Sequence, residues 1–190
     1  MFSRRPCEYC IRNAEPDEYP QLGELTVGVY ASLVGMPTVA EQPDYYEVLR
    51  DVGKRAANPA IDVFAAVSDS GEVLGSVDFI ADMKQYGSAG RATSISNAAG
   101  IRYLAVKPAC RGKSIGRTLT TFCIDRARAL GKSAVILHST KAMATAWAMY
   151  ERMGFRRCAD FDFQQGALEV FGFRLPLGSG TSDRDLGPLQ

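Results

Sequence analysis

Apolar positions along the chain follow two rhythms, one of helical spacing and one of strand alternation, and their order predicts the elements. Residues 8–13 read as a short strand, and Glu15-Pro16-Asp17 then puts acids and a proline into a first helical turn. Leu22, Leu25, Val29 and Leu33 continue at helical spacing, and after a break over 35–43 the pattern predicts a second helix over 44–57. In "DVFAAVSDSGEVLGSVDFIA" two β-rich runs flank Asp69-Ser70-Gly71, which is hairpin chemistry. "DMKQYGSAGRATSISNAAG" carries little periodicity. A segment that long is expected either as a substrate-side loop or as a solvated excursion.

"GIRYLAVKP" predicts a strand ended by Pro108. Over 114–130, Ile115, Leu119, Phe122, Cys123, Ala127 and Leu130 form one stripe, with Arg117, Asp125, Arg128 and Lys132 off it. Gly131 stops that helix and "SAVILH" is a strand of buried type. A helix over 141–153 closes at Gly154, and "FRRCADFDF" and "LEVFGFRLP" alternate like a terminal antiparallel pair. The order β–α–α–β–β–β–α–β–α–β–β implies one α/β domain of the α+β type with a mostly antiparallel sheet. It is expected over 1–177, followed by a Gly/Ser-rich tail over 178–190 that frays.

Composition narrows the function classes. The 190 residues are 46% hydrophobic and 23% charged, with a formal net charge of +1. That balance excludes a dedicated nucleic-acid binder, although bases gather between Arg102 and Lys132. No apolar run reaches the roughly 18 residues of a membrane span, and no apolar stretch suited to a signal peptide follows Arg4-Arg5. Five scattered cysteines read as reduced thiols, so a cytoplasmic location is expected. Cys7 and Cys10 form a CxxC, but no second Cys/His pair stands at zinc spacing and His138 is the only histidine, so no metal is expected.

"PACRGKSIGR" (108–117) is the stretch that carries chemistry. Its GKS ending looks like a nucleotide-binding P-loop, but the first glycine of that motif would fall at Lys107; the second GKS, at 131–133, would need glycine where Arg126 stands. Spacing rejects both. What remains is a strand, a glycine-bearing turn and an amphipathic helix. The unpaired N–H groups of the first turn and the helix dipole then face an anion, and Arg111, Lys113 and Arg117 add positive charge.

"LAVKPACRGKSIGRTLTTFCIDRARALG" resembles the central motif of the GNAT acetyltransferase superfamily, a strand, an R-x-x-G-x-G loop and a long helix. "AWAMYERMGF" (146–155) resembles that family's second signature, A-x-x-x-Y-x-x-x-G-F. The resemblance implies acetyl-CoA as cosubstrate, held in a splay between parallel strands at 102–106 and 133–138. Backbone groups of Leu104, Ala105 and Val106 would pair with the pantetheine arm. Arg111, Gly112, Lys113, Ser114, Ile115, Gly116 and Arg117 would hold the pyrophosphate. It further implies transfer of the acetyl group to a primary amine by direct attack, with Tyr150 as the acid for the departing thiolate.

The chain departs from the family pattern in places. Ser114 replaces the first loop glycine, Met143 replaces a frequent asparagine, and Ile101-Arg102 stand where many members carry an acid. His138, Asp78 and Asp82 are candidate bases, and Tyr30, Tyr45, Tyr46 and Tyr86 are candidates for an acceptor pocket. The acceptor is a small-molecule or protein amine, with a homodimer left open. A non-catalytic acyl-CoA sensor with the same fold is the alternative.

Overall fold

Residues 9–178 are described by the structure, a computed structural model, and their strands join into an open sheet of order β1-β2-β3-β4-β5-β8-β6, with β7 pairing β8. The strands are β1 (Tyr9–Asn13), β2 (Ile61–Ser68), β3 (Val73–Ile80), β4 (Ala98–Val106), β5 (Ala134–Ser139), β6 (Arg156–Arg157), β7 (Phe163–Gln165) and β8 (Leu168–Pro176). The helices are α1 (Tyr19–Ala31), α2 (Pro43–Arg50), α3 (Val52–Ala56), α4 (Ile115–Ala129) and α5 (Ala144–Arg152). Every pairing is antiparallel except β4 with β5. The expected mixed, mostly antiparallel sheet is therefore present. Cys7 of the CxxC and residues 179–190 of the expected tail lie outside the described residues.

Both faces of the sheet are covered, so its inner strands read as apolar runs instead of alternating patterns. On β2, Phe64 and Ala66 join the core under α4, while Val63, Ala65 and Val67 pack with Leu22 and Val52 of α1 and α3. From α4, Ile115, Leu119, Cys123 and Ala127 are buried as the stripe predicts. Phe122 and Leu130 are 38% and 41% exposed and sit on the stripe's margin, with Phe122 packed edge-on against Phe64.

The structure differs from the pattern in several elements. The helix expected over 44–57 is broken at Asp51, whose ψ of 72° leaves the helical region and whose carboxylate accepts from the Lys54 amide to cap α3. The start expected near Glu15 is a 3-10 turn, Pro16–Glu18, closed by a capping box between Glu15 and Glu18. The aperiodic segment after β3 is no solvated excursion. Met83, Tyr86 and Ala92 within it are buried against β4 and β5.

The feature that positions the site is the early end of the β4–β5 ladder. Pairing runs from Ala98↔Ala134 to Ile101↔Leu137 and stops, while β4 continues to Val106. On its other side β4 stays bound to β3, but Asp78 faces Arg102 and Ser76 faces Ala105, so β4 carries one extra residue. Tyr103 marks that bulge with φ +54°. The bulge reverses the alternation: Ala99 and Ile101 face the α4 side before it, and Leu104 and Val106 face that side after it.

Candidate active site

The splay opens into a cleft of about 440 Å³ at the carboxyl ends of β4 and β5, between α4 and α5. Leu104 and Val106 form one wall; Arg111, Gly112, Ser114, Ile115, Gly116 and Arg117 curl round its outer end; and Met149 and Tyr150 face them from α5. Ala105, which points to the opposite face, and Lys113 do not line the cleft. The lining contains no acidic side chain. With Arg111, Arg117 and Arg152 beside the first turn of α4, the cleft favours an anion.

The loop owes its shape to two left-handed residues, Gly112 (φ +78°) and Ser114 (φ +63°). Glycine takes such angles freely, and a serine does so at a cost of roughly 1–2 kcal/mol. The angle explains why glycine suits position 114. Ser114 caps α4 through its carbonyl, which accepts from the Thr118 amide and hydroxyl, and its own hydroxyl makes no cap bond.

Tyr150 is 5% exposed, lines the cleft, and has no hydrogen-bond partner for its hydroxyl among the described residues. Burial drives its pKa well above the ordinary phenol value, so it keeps its proton throughout the neutral range. Its backbone is fixed by the motif that follows. Phe155 N–H donates to the Tyr150 carbonyl, Gly154 N–H donates to Glu151, and Gly154 sits at φ +92°. That is a Schellman cap, and the Tyr150 and Phe155 rings, 5.7 Å apart, make the apolar contact that accompanies it. The Y-x-x-x-G-F spacing is thus a helix stop that locks the tyrosine. Trp147, edge-on to Phe173 at 4.8 Å, holds α5 on β8.

The candidate bases fare differently. Asp78 is 2% exposed, bound to Arg55 Nε at 2.6 Å, and lines neither this cleft nor the adjoining cavity. Desolvation raises its pKa against the pull of Arg55 and Arg102. Held in that ion pair away from both cavities, Asp78 is not placed to act as a base. Asp82 caps a short turn by accepting from the Lys84 amide.

His138 does reach the cleft, but both ring nitrogens are engaged. Nε2 lies 2.8 Å from the Phe161 carbonyl, which only accepts, so Nε2 carries the proton. Nδ1 then accepts from the Tyr86 hydroxyl at 3.0 Å. Burial lowers the His138 pKa from 6.5 to about 4. With both nitrogens engaged, His138 is a fixed neutral acceptor that holds Tyr86 and has no free ring nitrogen with which to act as a direct base.

A smaller cavity of about 60 Å³ meets the cleft at Ile101, Arg102 and His138, where the ladder ends. Tyr30, Tyr45 and Tyr86 line it; Tyr46 does not, being buried with its hydroxyl on the Pro37 carbonyl. Residues that sequence reasoning missed are Tyr103, Ser88 and Ser139, all on this cavity. For Ser139 a signal existed: it ends a strand of a parallel pair, where ligands gather in α/β sheets. Among the described residues no group of three or more His, Cys, Asp or Glu side chains could hold a metal, and no helix is long and apolar enough to cross a membrane.

A parallel pair that parts over the start of a helix, with a buried tyrosine facing the gap, is the geometry at the centre of this site. Residues 27–155 match the family model described as "Acetyltransferase (GNAT) family", and the chain belongs to that family. An acetyltransferase of the GNAT family from Staphylococcus aureus has a similar structure, with TM-score 0.67, 15% identity, and 90% of this chain and 100% of that chain covered. PaiA N-acetyltransferase from Thermoplasma acidophilum, in complex with coenzyme A, gives TM-score 0.65 and 17% identity over 87% and 98%. Spermidine N-acetyltransferase from Vibrio cholerae, with CoA and spermine, gives TM-score 0.59 and 18% identity over 88% and 95%. No curated protein matches the chain.

Proposed function

We propose that the chain is an acetyl-CoA-dependent N-acetyltransferase acting on a primary amine. The observation that carries this reading is the continuity of the cleft. It runs from the N-terminal turn of α4, past the unpaired stretch of β4 from Arg102 to Val106, to the partnerless hydroxyl of Tyr150. The residues present fit coenzyme A. The α4 turn with Arg111 and Arg117 suits a pyrophosphate, and the unpaired β4 edge suits an arm that carries its own amides, as an added strand does. When bound, that carrier supplies an acetyl thioester.

This chain's residues would then orient and move protons. β4 and Tyr150 would hold the carbonyl carbon at the junction of the two cavities. The neutral amine would attack that carbon directly, the C–N bond forming as the C–S bond breaks, and Tyr150 Oη would hand its proton to the departing sulfur and regain one from solvent. A phenol with a raised pKa is a weak acid, so the transfer depends on its placement beside the sulfur. The amine sheds its proton to water through the open side of the site, since neither Asp78 nor His138 is available to take it.

Thiol release from acetyl-CoA across a panel of amines, with coenzyme A binding measured in parallel, tests the reading. Amine-dependent thiol release supports it. Tight binding without release for any amine would replace it with the sensor reading.

A further inference from the structure

The small cavity has a chemical character of its own. Its only charged lining side chain among the described residues is Arg102. That guanidinium is fixed from several sides: Nη1 donates to the Tyr86 and Gly87 carbonyls, and the group lies 4.5 Å from the centre of the Tyr103 ring and 5.3 Å from that of Tyr86. No carboxylate forms an ion pair with it among the described residues, since Asp78, its cross-strand neighbour, is bound to Arg55, and its Nε and Nη2 donors have no acceptor among the described residues. Arg55, by contrast, is neutralised by Asp78, and Arg157, beyond His138, by Asp162. Arg102 is thus a held cation with donors to spare.

Two hydroxyls on the same cavity are also unanswered. Ser139 is 1% exposed and its Oγ has no hydrogen-bond partner; the buried Oγ of Ser88 has none either, and both residues line the cavity. Native structures leave few such groups, and a polar ligand is one way to complete them. The rest of the wall is aromatic and apolar, with Met36, Phe163 and Val170. By volume the cavity of about 60 Å³ takes roughly two to three non-hydrogen atoms.

We propose that the acceptor is a small amino-carboxylate, an amino-acid head whose carboxylate is bound by Arg102 and completed by the hydroxyls of Ser139 and Ser88. This rests on the acyl-transfer reading and narrows it. A carboxylate has about three non-hydrogen atoms and matches that room, with Cα and the amine extending toward the cleft. Anchored there, its amine sits at the junction with the thioester cleft. The Arg102 charge also lowers the fraction of that amine held as ammonium. A polycationic acceptor would meet Arg102 and no carboxylate.

The test uses acetyl-CoA thiol release with free L-amino acids of small or apolar side chain, their amides, the matching decarboxylated amines, and spermidine. The acids should exceed their amides in kcat/KM by about tenfold or more, as expected for a charge-assisted contact. Arg102→Gln and Ser139→Ala should bring the acid-to-amide ratio toward one, mainly through KM, and Ser139→Ala, which lies off the cleft, should keep coenzyme A affinity. Because Arg102 also holds two backbone carbonyls, Ser139→Ala, which removes a hydroxyl bonded to nothing in the protein, decides the matter if Arg102→Gln does not fold. Amides or spermidine used as well as the acids would overturn the acceptor assignment and leave acyl transfer standing. If no amine releases thiol, N-acetyl-L-leucine is titrated onto CoA-saturated protein. Saturable binding weakened by Ser139→Ala would support the carboxylate site without the reaction, and no binding would overturn both.

Discussion

Gly116→Asp should push fold stability and cofactor affinity in opposite directions. Gly116 lies in the first turn of α4, and a Cβ built there would meet Val106 Cγ2 at 3.5 Å, Leu104 Cδ2 at 3.8 Å and Met149 Sδ at 3.8 Å. These are ordinary contacts, so the empty protein accommodates the side chain. Removing a helical glycine and placing an acid near the positive helix end should together stabilise by about 0.5–1 kcal/mol, a Tm rise of about 1–4 °C. The same carboxylate would enter the cleft beside the pyrophosphate. At roughly 5 Å and an effective dielectric near 20, a pair of like charges repels by about 3.3 kcal/mol, weakening coenzyme A binding roughly 250-fold. Thermal melts with and without coenzyme A, with calorimetry, read both effects. At a hundred times the wild-type dissociation constant the ligand adds about 2.7 kcal/mol to the wild type, and most of that gain should vanish in the variant. Gly116→Ala separates bulk from charge and should lose less affinity. Unchanged affinity in Gly116→Asp would refute the placement of phosphate at this helix start.

Tyr150→Phe should cut kcat by about 10²-fold or more with coenzyme A affinity and Tm nearly unchanged, since the hydroxyl bonds nothing in the protein; undiminished turnover would remove the acid role. Ser114→Gly relieves a left-handed serine and should raise stability by about 0.5–1 kcal/mol after the entropy of an added glycine; a lower denaturation midpoint would show that the hydroxyl shapes the turn. His138 has its pKa lowered from 6.5 to about 4, so the unfolded chain binds the proton first. The resulting stability is present above pH 6.5 and drains away as pH falls toward 4, by up to about 3 kcal/mol. Urea midpoints from pH 7 to 4 should therefore fall more steeply in the wild type than in His138→Gln, and parallel slopes would contradict the neutral buried imidazole.

Local chemistry made much of the fold legible. Asp69-Ser70-Gly71 does turn β2 into β3, with Gly71 at φ +82°, and the α4 stripe does face the sheet. Where helix 44–57 was expected, one side-chain cap at Asp51 outweighed a continuous apolar pattern, and such a cap is visible only once the backbone has turned. The turn at 111–117 that opens α4 was readable because its shape lies in backbone angles and sequence spacing. The lining of the small cavity was not. Tyr86, Ser88, Arg102 and Ser139 come from three separate stretches, and only the β4 bulge and the ladder's end bring them together. Asp78 looked available because sequence does not show Arg55 folding back onto it from α3.

The parting of β4 from β5 places a rim in the middle of a sheet. Outer rims invite strands from other molecules and must be blunted by charge or irregularity. This one is walled by α4 and α5, which stand over it where an outer rim would face other molecules. The sheet thereby keeps a row of backbone donors and acceptors unpaired at its centre, away from its border.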